Sequence, residues 1–265
     1  MKPLKLHGRI ARRLLVNYRA DPATVARLLP PPFRPHLVGG SAVAGICLIR
    51  LDQLRPRGFP GFVGLTSESA AHRIAVEWDT ADGIGTGVYI PRRDTDSLVN
   101  VLVGGRLFPG EHHRARVHTE EAENAIRVSF ESHDRSASID VSVNTTRELG
   151  GQLFRDIDEA SRFFESGSIG YSATSGFDRF DGLELQTNAW RVEPVRVTDI
   201  RSSFFEDPER FPAGTATLDC ALLMRDIPVR WQALEPLVVS ARAGNERLST
   251  AIRAKAQPLP TRRGA

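Results

Sequence analysis

Five side chains that can transfer protons or bind anions cluster in one part of the sequence. Glu68, His72 and Arg73 stand close together, and His112 and His113 form an adjacent pair further along. A carboxylate or an imidazole can act as a general acid or base, and a guanidinium can bind a carboxylate through two hydrogen bonds. The segment therefore predicts acid/base chemistry on a small organic acid or carbonyl compound, with Glu68, His72, His112 and His113 as candidate catalytic residues.

The alternation of residues 70–79 is that of a β-strand. His72 shares one face with apolar residues, whereas Arg73 and Glu77 lie on the other face. On an open sheet the charged face would contact water, but the interior of a closed barrel can hold a polar ligand pocket. The periodicity leaves both alternatives open, and it is equally compatible with Arg73 and Glu77 forming a solvated or mutually paired surface.

The histidine pair follows Pro109-Gly110, so it could also be a polar turn in contact with water. Adjacent residues of an extended chain point to opposite sides, and at most one of His112 and His113 is expected to enter a pocket. Histidines and acids of this region match no recognised metal-ligand spacing. Neither a metal nor a cofactor is predicted.

Several residues are candidates for substrate binding, and each also has a purely structural interpretation. Arg12 belongs to a basic run that could form a sheet edge, and surface arginines are common. The hydroxyl of Tyr171 could line a pocket, although its small neighbours would suit a tightly packed strand. The predicted binding residues are Arg12, Arg73, Arg92, Arg93 and Tyr171.

Short strand-like segments separated by turn residues make up most of the chain. Asp21-Pro22 supplies an N-cap and a first-turn proline for a helix at 23–29, and further helices are predicted at 98–103 and 156–165. The apolar run 42–51 predicts a strand buried on both faces. This pattern favours a mainly β fold, a β-barrel or cone with a few short helices. Predicted strands are 10–19, 42–51, 72–78, 87–90, 115–119, 125–131, 137–144, 169–174, 185–200 and 215–223.

The basic charge is concentrated at the end of the sequence. The net charge is +3, yet residues 240–265 carry six basic residues and one acidic residue, which leaves the rest at about −2. We therefore expect one domain over 1–239 followed by a basic, mobile tail at 240–265, and no nucleic-acid binding. Cys47 and Cys220 sit in apolar runs typical of buried thiols. With no signal-peptide pattern and no apolar stretch of about twenty residues, the sequence predicts a cytoplasmic protein without a membrane segment.

Ordered motifs resemble a known superfamily. Tyr18-Arg19-Ala20-Asp21-Pro22, followed by a short helix and Leu29-Pro30, is similar to the opening of acetoacetate decarboxylase-like proteins. The run Gly105-Arg106-Leu107-Phe108-Pro109-Gly110-Glu111-His112-His113 resembles most the bacterial family known as domain of unknown function 2071. The likeness spans about residues 10–231. It implies a cone-like β-barrel with a small-molecule pocket, in which Glu68 stands on a glutamate-bearing strand and Arg12 stands near a substrate-binding arginine.

The sequence departs from the decarboxylases at the reactive amine. Acetoacetate decarboxylase uses a lysine that forms a Schiff base, and a neighbouring cation activates that lysine. In this chain the equivalent frame carries His112-His113, and the only lysines are Lys2, Lys5 and Lys255. Because an imidazole cannot form the imine, the Schiff-base reaction is not expected.

Two main hypotheses follow for the pocket. The first is an enzyme of lyase or hydrolase type that uses non-covalent acid/base chemistry, with Glu68 and one histidine transferring protons and Arg73 anchoring a carboxylate. The second is a ligand-binding module of the same fold without catalysis. A weaker third hypothesis is a structural partner protein that acts through its basic tail. The exposed barrel surface would also suit a homodimer.

Overall fold

The computed structural model describes residues 5–56, 58–60, 64–98, 110, 112–174 and 179–238. Strands predominate in these ranges and the helices are short, so the mainly β prediction is confirmed. The predicted helix beyond Leu98 and the basic segment 240–265 lie outside the described residues.

The elements follow one another as a long series of strands with two helices between them. In chain order they are β1 (Lys5–Ala20), α1 (Pro22–Leu28), β2 (Arg34–Pro35), β3 (Leu37–Val38), β4 (Ser41–Pro56), β5 (Leu65–Thr80), β6 (Gly83–Thr95), β7 (His112–Glu121), β8 (Ala125–Ser132), β9 (Ser138–Thr145), α2 (Ile157–Ser166), β10 (Ile169–Ala173), β11 (Arg179–Gln186), β12 (Glu193–Ser202), β13 (Ala216–Ala233) and β14 (Leu237–Val238).

Both helices begin directly after an aspartate that caps them, and the N-cap at Asp21 is the one that the sequence predicts. The Asp21 carboxylate accepts a hydrogen bond from the backbone nitrogen of Thr24 at 2.7 Å, and Pro22 occupies the first turn of α1. Asp156 accepts from the backbone nitrogen of Glu159 at 2.8 Å and caps α2 in the same way. In the described parts of the chain, no helix is long and apolar enough to cross a membrane.

The single strand predicted at 185–200 is wrong, because this segment belongs to two strands. β11 ends at Gln186 and β12 begins at Glu193. Between them the Thr187 hydroxyl donates to the carbonyl of Pro228 at 2.8 Å and accepts from the backbone nitrogen of Ala189 at 3.1 Å. A hydroxyl that accepts a hydrogen bond from the backbone two residues further on, as Thr187 does from Ala189, favours a turn over a continuous ladder.

Strand pairing closes the sheet into two rings that share part of their wall. The shared strands are β13, β1, β4, β5 and β6, which pair side by side. The first ring is completed by β10 and β11, since β10 pairs with β6 and β11 pairs with β13. The second ring is completed by β7, β8, β9 and β12, since β7 pairs with β6 and β12 pairs with β13.

Because two rings share β4 and β5, both faces of these strands are covered. The alternate residues Leu14, Ile46 and Ile74 belong to a large apolar core that includes Val128 and Val141 of the second ring. The residues between them, such as Leu15 and Ala75, face the opposite side and pack with α2. The prediction of a doubly buried strand at β4 is confirmed over 42–48, where each residue is buried.

Candidate functional site

Cross-strand register brings several polar residues of the shared wall together. Asn17 of β1 is paired with Gly45 of β4, and Gly45 is paired with Arg73 of β5. A Cβ atom at Gly45 would clash with the carbonyl oxygen of Val16 and would come within 3.3 Å of the Asn17 Oδ1 atom. The absence of a side chain at this central position therefore lets the Arg73 guanidinium reach across β4 to Asn17, to which it donates a hydrogen bond.

A cavity of about 120 Å³ lies within the first ring. Every strand of that ring contributes to its wall, and His112 lies where β7 begins. The apolar part of the wall includes Ile49, Val88, Ile90, Leu183 and Trp231. The polar side chains on the wall include Arg13, Cys47, Ser69, Arg73, Arg93, Asp94, His112 and Ser168.

Arg73 is the most deeply buried of the three arginines that line this cavity, at 3% exposure. Its guanidinium lies 4.7 Å from the centre of the Phe164 ring and donates to Asn17, while its Nε atom has no hydrogen-bond partner. Burial lowers the pKa of Arg73 to about 10. The side chain remains a cation at neutral pH, and it forms no ion pair with any carboxylate of the described residues.

The other two arginines are also without a carboxylate partner in the described ranges. Arg93 donates from Nε to the Ser172 hydroxyl at 3.2 Å, and burial lowers its pKa to about 10. Arg13 donates from Nε to the Cys47 sulfur at 3.3 Å. Because buried cations are normally paired or hydrogen-bonded, three guanidiniums on one cavity form an electrostatic environment that favours an anion.

His112 is the imidazole that contributes to this cavity. Its Nδ1 atom lies 3.2 Å from the Gly110 carbonyl, which assigns the proton to Nδ1 and leaves the lone pair on Nε2. Burial and the positive charge of Arg93 lower the pKa of His112 to about 4. At neutral pH the ring is therefore an uncharged base, and a bound anion that offsets the charge of Arg93 would raise this pKa.

Glu68 and Arg12 lie on the opposite face of the shared wall. Arg12 is 2% exposed and donates to Glu68 at 2.6 Å and to Glu121 of β7. Burial raises the pKa of Glu68 even though Arg12 and Arg50 stand nearby. The two residues neutralise each other outside the cavity of Arg73. Glu68, Arg73 and one histidine were expected to line one pocket. Of these, Arg73 and His112 line the same cavity, and Glu68 does not.

His72, Arg92 and His113 form another group, which lines a separate cavity. The alternation of β5 turns His72 away from Arg73, and His72 is fully buried. Arg92 donates twice to Asp94, at 2.9 Å for each bond. Arg92 and Arg93 lie inside β6 rather than beyond the end of a strand, because β6 continues to Thr95. The alternation of a strand consequently sends these two neighbours to different faces.

The remaining sequence candidates have packing or pairing roles in the structure. The Tyr171 ring lies 5.2 Å from Trp78 and 5.9 Å from Phe33 in an aromatic cluster, and burial raises its pKa. Glu77 accepts from Arg34 at 2.7 Å, so it does not pair with Arg73.

Arg13 and Cys47 were not predicted as cavity residues. Arg13 looked like part of a basic edge, and Cys47 looked like an inert core thiol. Both reach the cavity through the pairing of β1 with β4, which sets Arg13 opposite Ile49 and Leu15 opposite Cys47. The sequence offered one signal for this face: Arg13, Leu15 and Asn17 are every second residue of β1 and therefore lie on the same side of the strand.

Comparison with known proteins settles the family. The model of DUF2071, described as an uncharacterized conserved protein, matches residues 8–223, which is most of the chain. The chain belongs to the DUF2071 family. This DUF2071 protein has no significant match among curated proteins.

Solved structures of the acetoacetate decarboxylase-like fold resemble the DUF2071 chain over most of its length. An acetoacetate decarboxylase-like enzyme from Sphingomonas wittichii RW1 matches with a TM-score of 0.55 and 12% identity, over 90% of this chain and 93% of the other. Acetoacetate decarboxylase from Legionella pneumophila gives 0.57 and 11%, over 90% and 87%. The enduracididine biosynthesis enzyme MppR, complexed with pyruvate, gives 0.53 and 14%, over 90% of each chain. At sequence identities of 11–14%, these structural matches show a common fold and no shared activity.

Proposed function

We propose that the first-ring cavity binds a small organic acid and that His112 transfers a proton to or from it. The observation that carries this proposal is the buried Arg73 guanidinium, which has no carboxylate partner in the described structure and contributes to the cavity wall. An unpaired buried cation is costly, so its retention favours a ligand that supplies the missing negative charge.

The size and lining of the cavity narrow the ligand. A volume of about 120 Å³ is below the roughly 300–1,000 Å³ typical of sites for drug-sized molecules. Aliphatic residues on the wall would contact the carbon atoms, while Arg73 and Arg93 would donate to the carboxylate. A keto acid of a few carbon atoms fits these requirements. MppR, which shares the fold, is complexed with pyruvate, so pyruvate is the first probe to test.

Proton transfer would follow from the state of His112. Its neutral ring has a lone pair on Nε2 and can accept a proton from a carbon next to the carbonyl group of the ligand. The imidazolium that forms would be stabilised by the negative charge of the ligand. The described lining residues include no lysine, so the reaction proposed involves no imine.

Binding without turnover is the second candidate. The observation that favours it is the position of Glu68, which pairs with Arg12 on the other face and leaves the cavity with Asp94 as its carboxylate among the described lining residues. Asp94 in turn accepts two hydrogen bonds from Arg92. In this case His112 would serve only as a hydrogen-bonding group.

One experiment separates these alternatives. Pyruvate binding is measured by calorimetry, and exchange of its methyl hydrogens for deuterium is followed by NMR in D₂O. We expect Arg73→Gln to weaken binding by at least about tenfold, because a charge-assisted bond is lost. His112→Gln should keep most of the affinity and abolish exchange, whereas Arg127→Gln, an exposed arginine of β8, should change neither.

The outcomes have distinct meanings. Binding that depends on Arg73 but gives no exchange above the uncatalysed rate supports the binding module. Enzyme-dependent exchange that persists in His112→Gln refutes imidazole catalysis. If neither pyruvate nor other small keto acids bind the wild type, the proposal for this cavity is wrong.

A further inference from the structure

A second cavity, of about 220 Å³, lies at one end of the second ring. Its wall comes from β5, from β6, from the start of β7, from the turn between β8 and β9 and from the segment that follows β12. It shares no described lining residue with the cavity of Arg73. The residues that matter for the argument are His72, Arg92, His113, Ser203, Phe204 and Arg210.

His72 is the unusual residue of this cavity. It is fully buried, and neither of its ring nitrogens has a hydrogen-bond partner in the described structure. Its ring packs 4.4 Å from Phe204, which fixes the orientation. Burial and the charges of Arg92 and Arg210 lower the pKa of His72 to about 3, so the ring is neutral. A neutral imidazole presents one donor and one acceptor, and burying both without partners is unfavourable.

The acids near this cavity are already saturated with donors. Asp134 accepts from the Ser136 backbone nitrogen at 3.0 Å and from the Ser136 hydroxyl at 2.6 Å, and it also lies 3.3 Å from Arg92 and 3.5 Å from His113. Asp94 accepts two bonds from Arg92. These carboxylates therefore have little capacity left to compensate a further cation.

Arg210 is a cation on this wall, and its one ion pair in the described structure runs from Nη1 to Asp207 at 2.9 Å. Its guanidinium lies 5.2 Å from the centre of the Phe204 ring. Within the described ranges, its Nε and Nη2 atoms donate to no protein group, and because the side chain is half exposed, water can solvate them. A ligand that carries one negative charge can replace this water, and a ligand that also has a proton to donate can satisfy the acceptor nitrogen of the neutral His72.

We infer that this second cavity binds a small oxyanion that also bears a hydroxyl group, such as a 2-hydroxycarboxylate or a phosphate that retains a proton. The anionic oxygens accept from Arg210 and from the N–H group of His72. The hydroxyl donates to the other ring nitrogen of His72. This site does not depend on the function proposed for the cavity of Arg73.

NMR of the whole 265-residue chain with ¹⁵N-labelled histidine tests the inference at neutral pH. Glycolate and inorganic phosphate are titrated separately, and the His72 signals are assigned by their loss in His72→Phe. At least one probe should shift both ring nitrogens of His72 in a saturable way, and the probe that does so identifies the ligand class. Acetate lacks the hydroxyl and should bind roughly tenfold more weakly than glycolate.

Variants of single arginines test whether the probe binds in the second cavity. Arg210→Gln alters a half-exposed residue, so the fold should survive, and binding should weaken roughly tenfold. Arg127→Gln, which removes another exposed arginine, should leave the affinity unchanged. The inference is overturned if neither probe shifts His72, if Arg210→Gln binds as tightly as the wild type, or if Arg73→Gln abolishes the shift, which would assign the anion to the first cavity.

Discussion

Replacing each of two buried arginines by methionine should change the stability of the protein to very different extents. Arg12 and Arg73 are 2% and 3% exposed, respectively. Arg12 is paired with Glu68 and Glu121, whereas Arg73 has no carboxylate partner in the described structure. Methionine keeps a long side chain but removes the charge. The comparison therefore isolates the energetic effect of the partner.

For Arg73→Met two opposite contributions to the free energy of unfolding nearly cancel. Burial lowers the pKa of Arg73 to about 10 from an ordinary value above 12, which at about 1.4 kcal/mol per pH unit corresponds to about 3 kcal/mol. A base whose folded-state pKa is depressed destabilises the fold as a cation, and below pH 10 this penalty is fully present. Arg73→Met removes this penalty, but it also leaves the Asn17 Oδ1 atom without the hydrogen bond from Arg73, which costs about 1–3 kcal/mol. We expect the free energy of unfolding to stay the same or to rise by up to about 2 kcal/mol.

For Arg12→Met the same change leaves Glu68 as a largely buried carboxylate without its principal partner. Loss of one member of a buried ion pair costs about 3–5 kcal/mol. Urea denaturation at neutral pH measures both effects, and calorimetry with pyruvate measures binding. Arg73→Met should bind at least about tenfold more weakly than the wild type.

The result that refutes this reasoning is specific. If Arg73→Met loses as much stability as Arg12→Met and still binds the ligand normally, then Arg73 is a structural residue and not an anchor for an anion. Equal denaturant slopes in the two variants are required for the comparison, because a change in slope would indicate a change in the denatured state.

Three further experiments test the strand pairing at Arg73, the accessibility of the first cavity and the cap of α2. Gly45→Ala places a Cβ atom against the carbonyl oxygen of Val16 and near the Asn17 Oδ1 atom, so the paired strands must shift. We expect the free energy of unfolding, measured by urea denaturation, to fall by about 1–3 kcal/mol and pyruvate to bind more weakly. Iodoacetamide should label Cys47, which lines the first cavity, and pyruvate should slow this labelling. Cys220 should stay unlabelled, because burial raises its pKa to about 12. Peptide mass spectrometry detects each product, and preferential labelling of Cys220 would contradict the cavity assignment. Asp156→Ala removes the N-cap of α2 and should lower the free energy of unfolding, measured by urea denaturation, by about 1 kcal/mol. An unchanged value would show that the cap is dispensable.

Local signals in the sequence were sufficient for most of the secondary structure and for the family. Asp21 and Asp156 determine where the helices begin because their carboxylates satisfy backbone donors within three residues. The apolar run of β4 predicted burial on both faces, and the ordered motifs identified the DUF2071 resemblance. The division between β11 and β12 was missed, since it depends on a Thr187 bond to a distant carbonyl.

The sequence by itself determined which residues share a face of each strand and that the only lysines are Lys2, Lys5 and Lys255. Only the tertiary structure decided what covers each face. β5 belongs to two closed rings, so Arg73 contributes to one cavity while His72 contributes to another. Strand periodicity is a local property of the backbone, whereas ring closure depends on pairings between residues far apart in the chain. For that reason the five clustered candidates proved to be three separate groups.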